Sequence, residues 1–155
     1  MLTNFPNGVS SFGLPIIGAG PVLTTGNVFF VNSSHARASN SNLGTSPDKP
    51  LATIDYAVGK CTANNGDFII AGPGHVETVS VAGGLTMDVA GVTVLGIGRG
   101  ASRPVINLTA TAADINIDAA SVTFDNLLLT GGIDGLLGFL DVNAPDFTLQ
   151  NCEYR

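Results

Sequence analysis

Leu85-Thr86-Met87-Asp88-Val89-Ala90-Gly91-Val92-Thr93-Val94-Leu95-Gly96 can be laid over Ile115-Asn116-Ile117-Asp118-Ala119-Ala120-Ser121-Val122-Thr123-Phe124-Asp125-Asn126. That stretch lies in turn over Leu140-Asp141-Val142-Asn143-Ala144-Pro145-Asp146-Phe147-Thr148-Leu149-Gln150-Asn151. The copies start at 85, 115 and 140, so the offsets are 30 and 25 residues. In each copy an apolar-polar-apolar run ends at Asp88, Asp118 or Asn143. A short corner follows, then Val92-Thr93-Val94, Val122-Thr123-Phe124 or Phe147-Thr148-Leu149. A repeat of this length is the mark of a solenoid, and unequal offsets fit coils that differ in one turn.

The residue types follow from that geometry. A short strand alternates its side chains, so inward Val, Ile, Leu and Phe stack on the next coil while Thr, Asn and Asp face outward. Corners need small or φ-permissive residues, here Ala90-Gly91, Ala120-Ser121 and Ala144-Pro145-Asp146. Gly96, Asn126 and Asn151 fall at one corner position. An inward Asn there bonds the backbone of adjacent coils, so Asn126 and Asn151 are candidates for a structural Asn ladder.

Working outward, Leu51, Ile54, Ala57, Val58 and Cys61 form one stripe at helical spacing. This predicts a helix over 50–63, with Pro50 in its first turn and Asn64-Asn65-Gly66 stopping it. Placed just before the first coil, it would cap an open apolar end. Asp67–Ala71 reads as a buried strand, Gly72-Pro73-Gly74 as a turn, and Val28–Val31 as the first strand. Residues 32–49 read as a polar loop. Residues 1–27 hold Pro6, Gly8, Gly13, Pro15, Gly18, Gly20, Pro21 and Gly26 among Phe5, Phe12, Leu14, Ile16 and Ile17. They read as an extended apolar arm that lies on a surface, with 28–155 as the domain proper. No capping segment follows the third copy, so a longer chain or another subunit is expected to cover that end.

Composition narrows function. Of 155 residues 12% are charged, against about 25% in an average domain. Hydrophobic residues make up 45%, which argues against disorder. Six Lys+Arg against twelve Asp+Glu leave a net charge of −6, so no nucleic-acid partner is expected. The N-terminus has no basic region or long apolar run, so no secretory signal is expected. No apolar stretch reaches the 18 residues or so of a membrane span. Cys61 and Cys152 make no disulfide framework.

Catalytic candidates are weak. Asp88 and Asp118 share a repeat position, but Asn143 replaces the third acid of a Ca²⁺ cluster. Asp114, Asp118, Asp125, Asp141 and Asp146 sit where turns favour Asp, and no carboxylate set recurs to line a hydrolase groove. His75 and Glu77 share one β face and could in principle trade a proton. His35 lacks metal-binding partners at usable spacing, and neither Cys has an indicated His base. Gly96-Ile97-Gly98-Arg99-Gly100 lacks the helix that phosphate cradling needs. With Arg103 it reads as a wide turn bearing the one basic spot, suited to an acidic partner surface. No catalytic residue, metal or cofactor is expected.

Gly44-Thr45, with Pro50-Leu51-Ala52-Thr53-Ile54, then Gly66-Asp67-Phe68-Ile69 and Pro73-Gly74-His75-Val76-Glu77, resembles the opening of pectin-lyase-like proteins. The resemblance covers about residues 44–155. It implies an all-β, right-handed parallel β-helix of about three coils with an N-terminal capping helix, in which the His75–Glu77 stretch is an ordinary outer segment. Asn4-Phe5-Pro6-Asn7-Gly8-Val9-Ser10-Ser11-Phe12-Gly13 resembles the N-terminus of structural proteins of tailed bacteriophages. That implies a virion protein, made in the host cytoplasm, that decorates and reinforces the outer capsid as a homotrimer. Its partner would be the major capsid protein or another virion protein, reached through Phe5, Phe12, Leu14, Ile16 and Ile17. Cyclic closure would also bury outward apolar residues. The alternative is a tailspike or tail-fibre module that binds or cleaves host polysaccharide. A further rival is a cellular lyase of the resembling family.

Overall fold

The computed structural model describes Ser10, Ser11, Leu14, Pro15, Thr24 and residues 26–155. Two short strands, β1 (Ser10–Ser11) and β2 (Leu14–Pro15), pair antiparallel. β3 (Val28–Val31) precedes a short helix, α1 (Ile54–Val58). Then come β4 (Phe68–Ala71), β5 (Val76–Val79), β6 (Leu85–Met87), β7 (Thr93–Gly96), β8 (Val105–Leu108) and β9 (Ile115–Ile117). β10 (Thr123–Asp125), β11 (Leu128–Gly131), β12 (Leu140–Val142), β13 (Thr148–Gln150) and β14 (Glu153–Tyr154) complete the chain. From β3 onward every strand pairing is parallel.

Three sheets result, ordered β13-β10-β7-β4-β3, β14-β11-β8-β5 and β12-β9-β6. From β4 the chain visits them in rotation, so each strand lies beside the one three places earlier. The molecule is thus nearly all-β, with parallel strands in stacked sheets, an arrangement compatible with a parallel β-helix. The sequence repeat coincides with the register. Leu85, Ile115 and Leu140 are partners across β6, β9 and β12, as are Thr93, Thr123 and Thr148 across β7, β10 and β13. β4 and β5 precede the three copies, with Phe68 opposite Thr93.

Alternation sets the core. Phe29, Ile69, Val94 and Phe124 are buried in one inward row, which ends at Leu149, 45% exposed. Leu85 and Ile115, Met87 and Ile117, and Ile106 and Leu129 fill the other walls. Phe147 packs edge-on against Phe124 with ring centres 5.5 Å apart. The corners before the five-stranded sheet are held by a column of left-handed residues, Asn64, Gly91, Ser121 and Asp146, with φ from 57° to 75°. The Asn64 N–H donates to Ala90 O (2.8 Å), Gly91 N–H to Ala120 O (3.0 Å) and Ser121 N–H to Pro145 O (3.1 Å). A left-handed corner turns the N–H along the stack, where the next coil satisfies it.

One expectation is corrected. The helix spans Ile54–Val58, not 50–63. Leu51 is drawn into a parallel bridge with Val31, and the Leu51 N–H donates to Phe30 O, so Pro50 precedes a strand-like residue. Thr53 caps the helix by accepting from the Tyr56 N–H, and Gly59 ends it. α1 touches β3, β4 and β6, and buries Ile54, Ala57 and Val58 in the common core. The arm expected over 1–27 falls mostly outside the described residues, including Phe5, Phe12, Ile16 and Ile17. Leu14 is described only as part of β2.

Gly96 shows how tightly the coils stack. A Cβ there would lie 2.3 Å from Asn126 O, a backbone atom that cannot step aside. Gly96→Ala should cost about 1–3 kcal/mol through overpacking, read as a lower midpoint in urea at an unchanged slope.

Candidate functional site

The corner between the five-stranded and four-stranded sheets carries a cavity of about 670 Å³, open to solvent. Between β7 and β8 the chain takes eight residues, 97–104, with a 3-10 turn at Gly100–Ser102, whereas β10 to β11 and β13 to β14 each take two. The long corner lines the cavity with Arg99 and Arg103, and the corners above add Asn126, Asn151, Cys152 and Glu153. Arg103 Nη1 donates to Glu153 Oε2 at 3.2 Å, and Arg155 Nε donates to Glu153 Oε1 at 2.7 Å. Arg103 Nε is buried with no partner among the described residues.

Both ladder candidates are at this corner, in the left-handed conformation that Asn tolerates best after Gly. The Asn126 amide donates to Gly96 O (2.8 Å) and Gly98 O (3.0 Å), pinning the long corner of the coil below. The Asn151 amide donates to Asp125 Oδ1 at 2.8 Å rather than to a backbone carbonyl, and Gln150 Nε2 donates to Asp125 Oδ2 at 3.0 Å. Asp125 therefore joins the last two coils as a nearly buried acceptor. At the equivalent position in the third sheet's corner, the Asn143 amide donates to Asp118 Oδ1 at 2.9 Å. An amide at 143 bonds the acid below it, where a third carboxylate would repel it.

His75 and Glu77 are buried, which corrects their reading as an outer segment. Glu77 occupies the inward row with Ile106 and Leu129. The Ser33 N–H donates to His75 Nδ1 at 2.9 Å, which makes that nitrogen an acceptor and puts the proton on Nε2. Nε2 lies 3.1 Å from Glu77 Oε2, which also accepts the Ile54 N–H at 2.8 Å. The pair thus joins the loop after β3, the first coil and the start of α1. It is a fastening, in which His75 Nδ1 and Glu77 Oε2 each accept a backbone N–H. The signal was present in the sequence: Val79 must face inward, and Glu77 is two residues before it on the same face.

Asp67 is a second fastening, fully buried. Burial opposes its ionisation, but the Thr62 and Asn27 N–H groups and the Asn65 and Asn27 amides outweigh it and hold the carboxyl below its ordinary value. Burial, and then the Asp67 charge, push the Cys61 thiol up to about 12. Burial likewise raises the Cys152 thiol, against the Leu127 N–H that its sulfur accepts. Neither sulfur is a thiolate at neutral pH. Among the described residues no three His, Cys, Asp or Glu side chains converge as metal ligands.

The outer face of the five-stranded sheet is divided. Its first strands present Val28, Phe30, Phe68, Ile70 and Leu95, and its later strands present Thr123, Asp125, Thr148 and Gln150. Ile70 and Leu95 are buried but stand apart from the main core. Phe30, Pro47, Pro50, Ile70, Pro73 and Ile97 line a groove of about 140 Å³, with Ile97 40% exposed. The sequence reading missed this outward strip, because it assigned the apolar residues of strands to the core.

The chain matches no protein-family model, no curated protein and no solved structure.

Asp67 gives a pH test. A carboxylate whose folded pKa lies below its unfolded value of about 3.9 adds stability above that value and loses it as pH falls through the folded pKa. Asp67→Asn should lower the thermal midpoint at pH 7. It should also flatten the decline in stability below about pH 4, as followed by circular dichroism at a series of pH values.

Proposed function

We propose that this protein is a structural component of a tailed-bacteriophage particle, a right-handed parallel β-helix that binds the outer capsid as a homotrimer. The observation that carries the reading is an apolar strip on the outer face of the five-stranded sheet, in which Ile70 and Leu95 are already buried within the chain and Phe30 and Ile97 remain accessible at its edge. A strip of this kind on a chain with 12% charged residues suits a surface that another protein covers. The rotation of the chain through three parallel sheets supports the β-helix, and crossovers between parallel strands of one sheet are overwhelmingly right-handed. The stretch 4–13, which resembles phage structural proteins, supports the particle. Phe5, Phe12, Leu14, Ile16 and Ile17 would reach the major capsid protein or another virion protein. The buried His75–Glu77 pair and Asp67 serve cohesion, which suits a body whose work is to bind and stiffen rather than to catalyse.

Light scattering should give three times the chain's 15.7 kDa. Ile97→Asp should shift the mass toward monomer without changing the circular dichroism. Mass spectrometry of purified particles from a culture carrying the gene should detect the chain. A folded monomer at all concentrations rules out the trimer, and absence from the particles rules out the virion assignment.

A further inference from the structure

We propose that the corner cavity binds a hydroxylated organic anion of monosaccharide size. Arg99 and Arg103 would hold its oxyanion, and the amide oxygens of Asn126 and Asn151 would accept from its hydroxyls. This goes beyond the structural reading above and does not depend on it.

Charge is the first argument. Three of the chain's six basic residues, Arg99, Arg103 and Arg155, gather at this corner of a protein with net charge −6. Glu153 alone answers Arg103 and Arg155, and Arg99 is exposed with no ion pair among the described residues. An excess of positive charge remains. The Arg103–Glu153 bond is a single contact to a half-exposed carboxylate, a kind of pair that contributes little. Arg103 Nε is buried and unpartnered, which is costly for a donor. An oxyanion that draws the guanidinium round to offer Nε and a terminal nitrogen together satisfies both in the bidentate geometry that Arg favours.

The amides supply the second argument. Asn126 spends both N–H donors on Gly96 O and Gly98 O, and Asn151 directs its amide nitrogen at Asp125. Those partners fix which end of each amide is oxygen. Neither oxygen accepts a hydrogen bond among the described residues, so the cavity offers acceptors beside its guanidinium donors. Acceptors repel a second anionic group and suit hydroxyls. Asp125, the nearby acid, is 6% exposed and already accepts from two amides. A volume of about 670 Å³ exceeds what a bare inorganic ion fills and lies in the usual range for small-molecule sites.

The test is isothermal titration of the full chain with gluconate, glucose 6-phosphate, glucose and inorganic phosphate. The two sugar anions separate a carboxylate from a phosphate as the source of the oxyanion. At least one should bind with a millimolar or lower Kd, about tenfold tighter than both glucose and inorganic phosphate. Arg99→Ala and Arg103→Lys should each weaken that binding by about tenfold or more, with unchanged melting curves. The Arg99 side chain makes no hydrogen bond among the described residues, so its variant keeps the test independent of folding. Absence of binding by both sugar anions overturns the proposal. So does equal binding of glucose or inorganic phosphate, or unchanged affinity in both folded variants.

Discussion

The stacked corner before the five-stranded sheet is the constraint on which the rest of the structure depends. Parallel strands three or four residues long hold few hydrogen bonds each, and a slip of one residue would turn every inward side chain outward. The left-handed column of Asn64, Gly91, Ser121 and Asp146 resists that slip. Each of the first three sends its N–H to a carbonyl at the next corner, so the corners are in register before the strands begin. Left-handed backbone disfavours an ordinary L-residue by about 1–2 kcal/mol, which is why Gly, Asn, Ser and Asp stand there. With the corners fixed, the rows through Phe29, Ile69, Val94 and Phe124 follow.

The first coil needs different physics, because among the described residues no regular coil precedes it. β3 continues the five-stranded sheet, while Ser33 serves the edge of β5. The Ser33 hydroxyl donates to Val76 O and accepts the Val76 N–H, as a strand backbone would. α1 lies against β6, and Asp55 accepts the Thr86 N–H at that edge. Glu77, His75 and Asp67 then tie these pieces together through backbone donors. Buried charge is expensive unless its acceptors are filled, and here it replaces the apolar stacking that a preceding coil would have given.

How much of this was legible follows from which residues repeat. The walls that include β6, β9 and β12 and β7, β10 and β13 were readable because their corner and strand recur in order, and the offsets of 30 and 25 are the registers. The wall of β5, β8, β11 and β14 was not, because Val76, Val105, Leu128 and Glu153 share a row but no common spacing. The helix was overread because Leu51 and Cys61 fall on its stripe. Leu51 instead packs as a strand residue beside Val31, a long-range pairing that no local period reports. The ladder Asn residues were legible as corner residues. The cavity around them was not, since it needs Arg103 and Glu153 brought together across fifty residues.

Variable turns are where such a fold can acquire a site without disturbing its core. The corner at 97–104 is longer than any other between the same two sheets, and the longer offset of the second coil is its trace in the sequence. A lengthened corner cannot stack as its neighbours do. It needs an anchor, which the Asn126 amide supplies through Gly96 O and Gly98 O. The anchor fixes the base of the loop and leaves Arg99 and Arg103 over the corners above. The same Asn that stacks the coils therefore holds the basic loop in place, so cohesion and the candidate site share one residue.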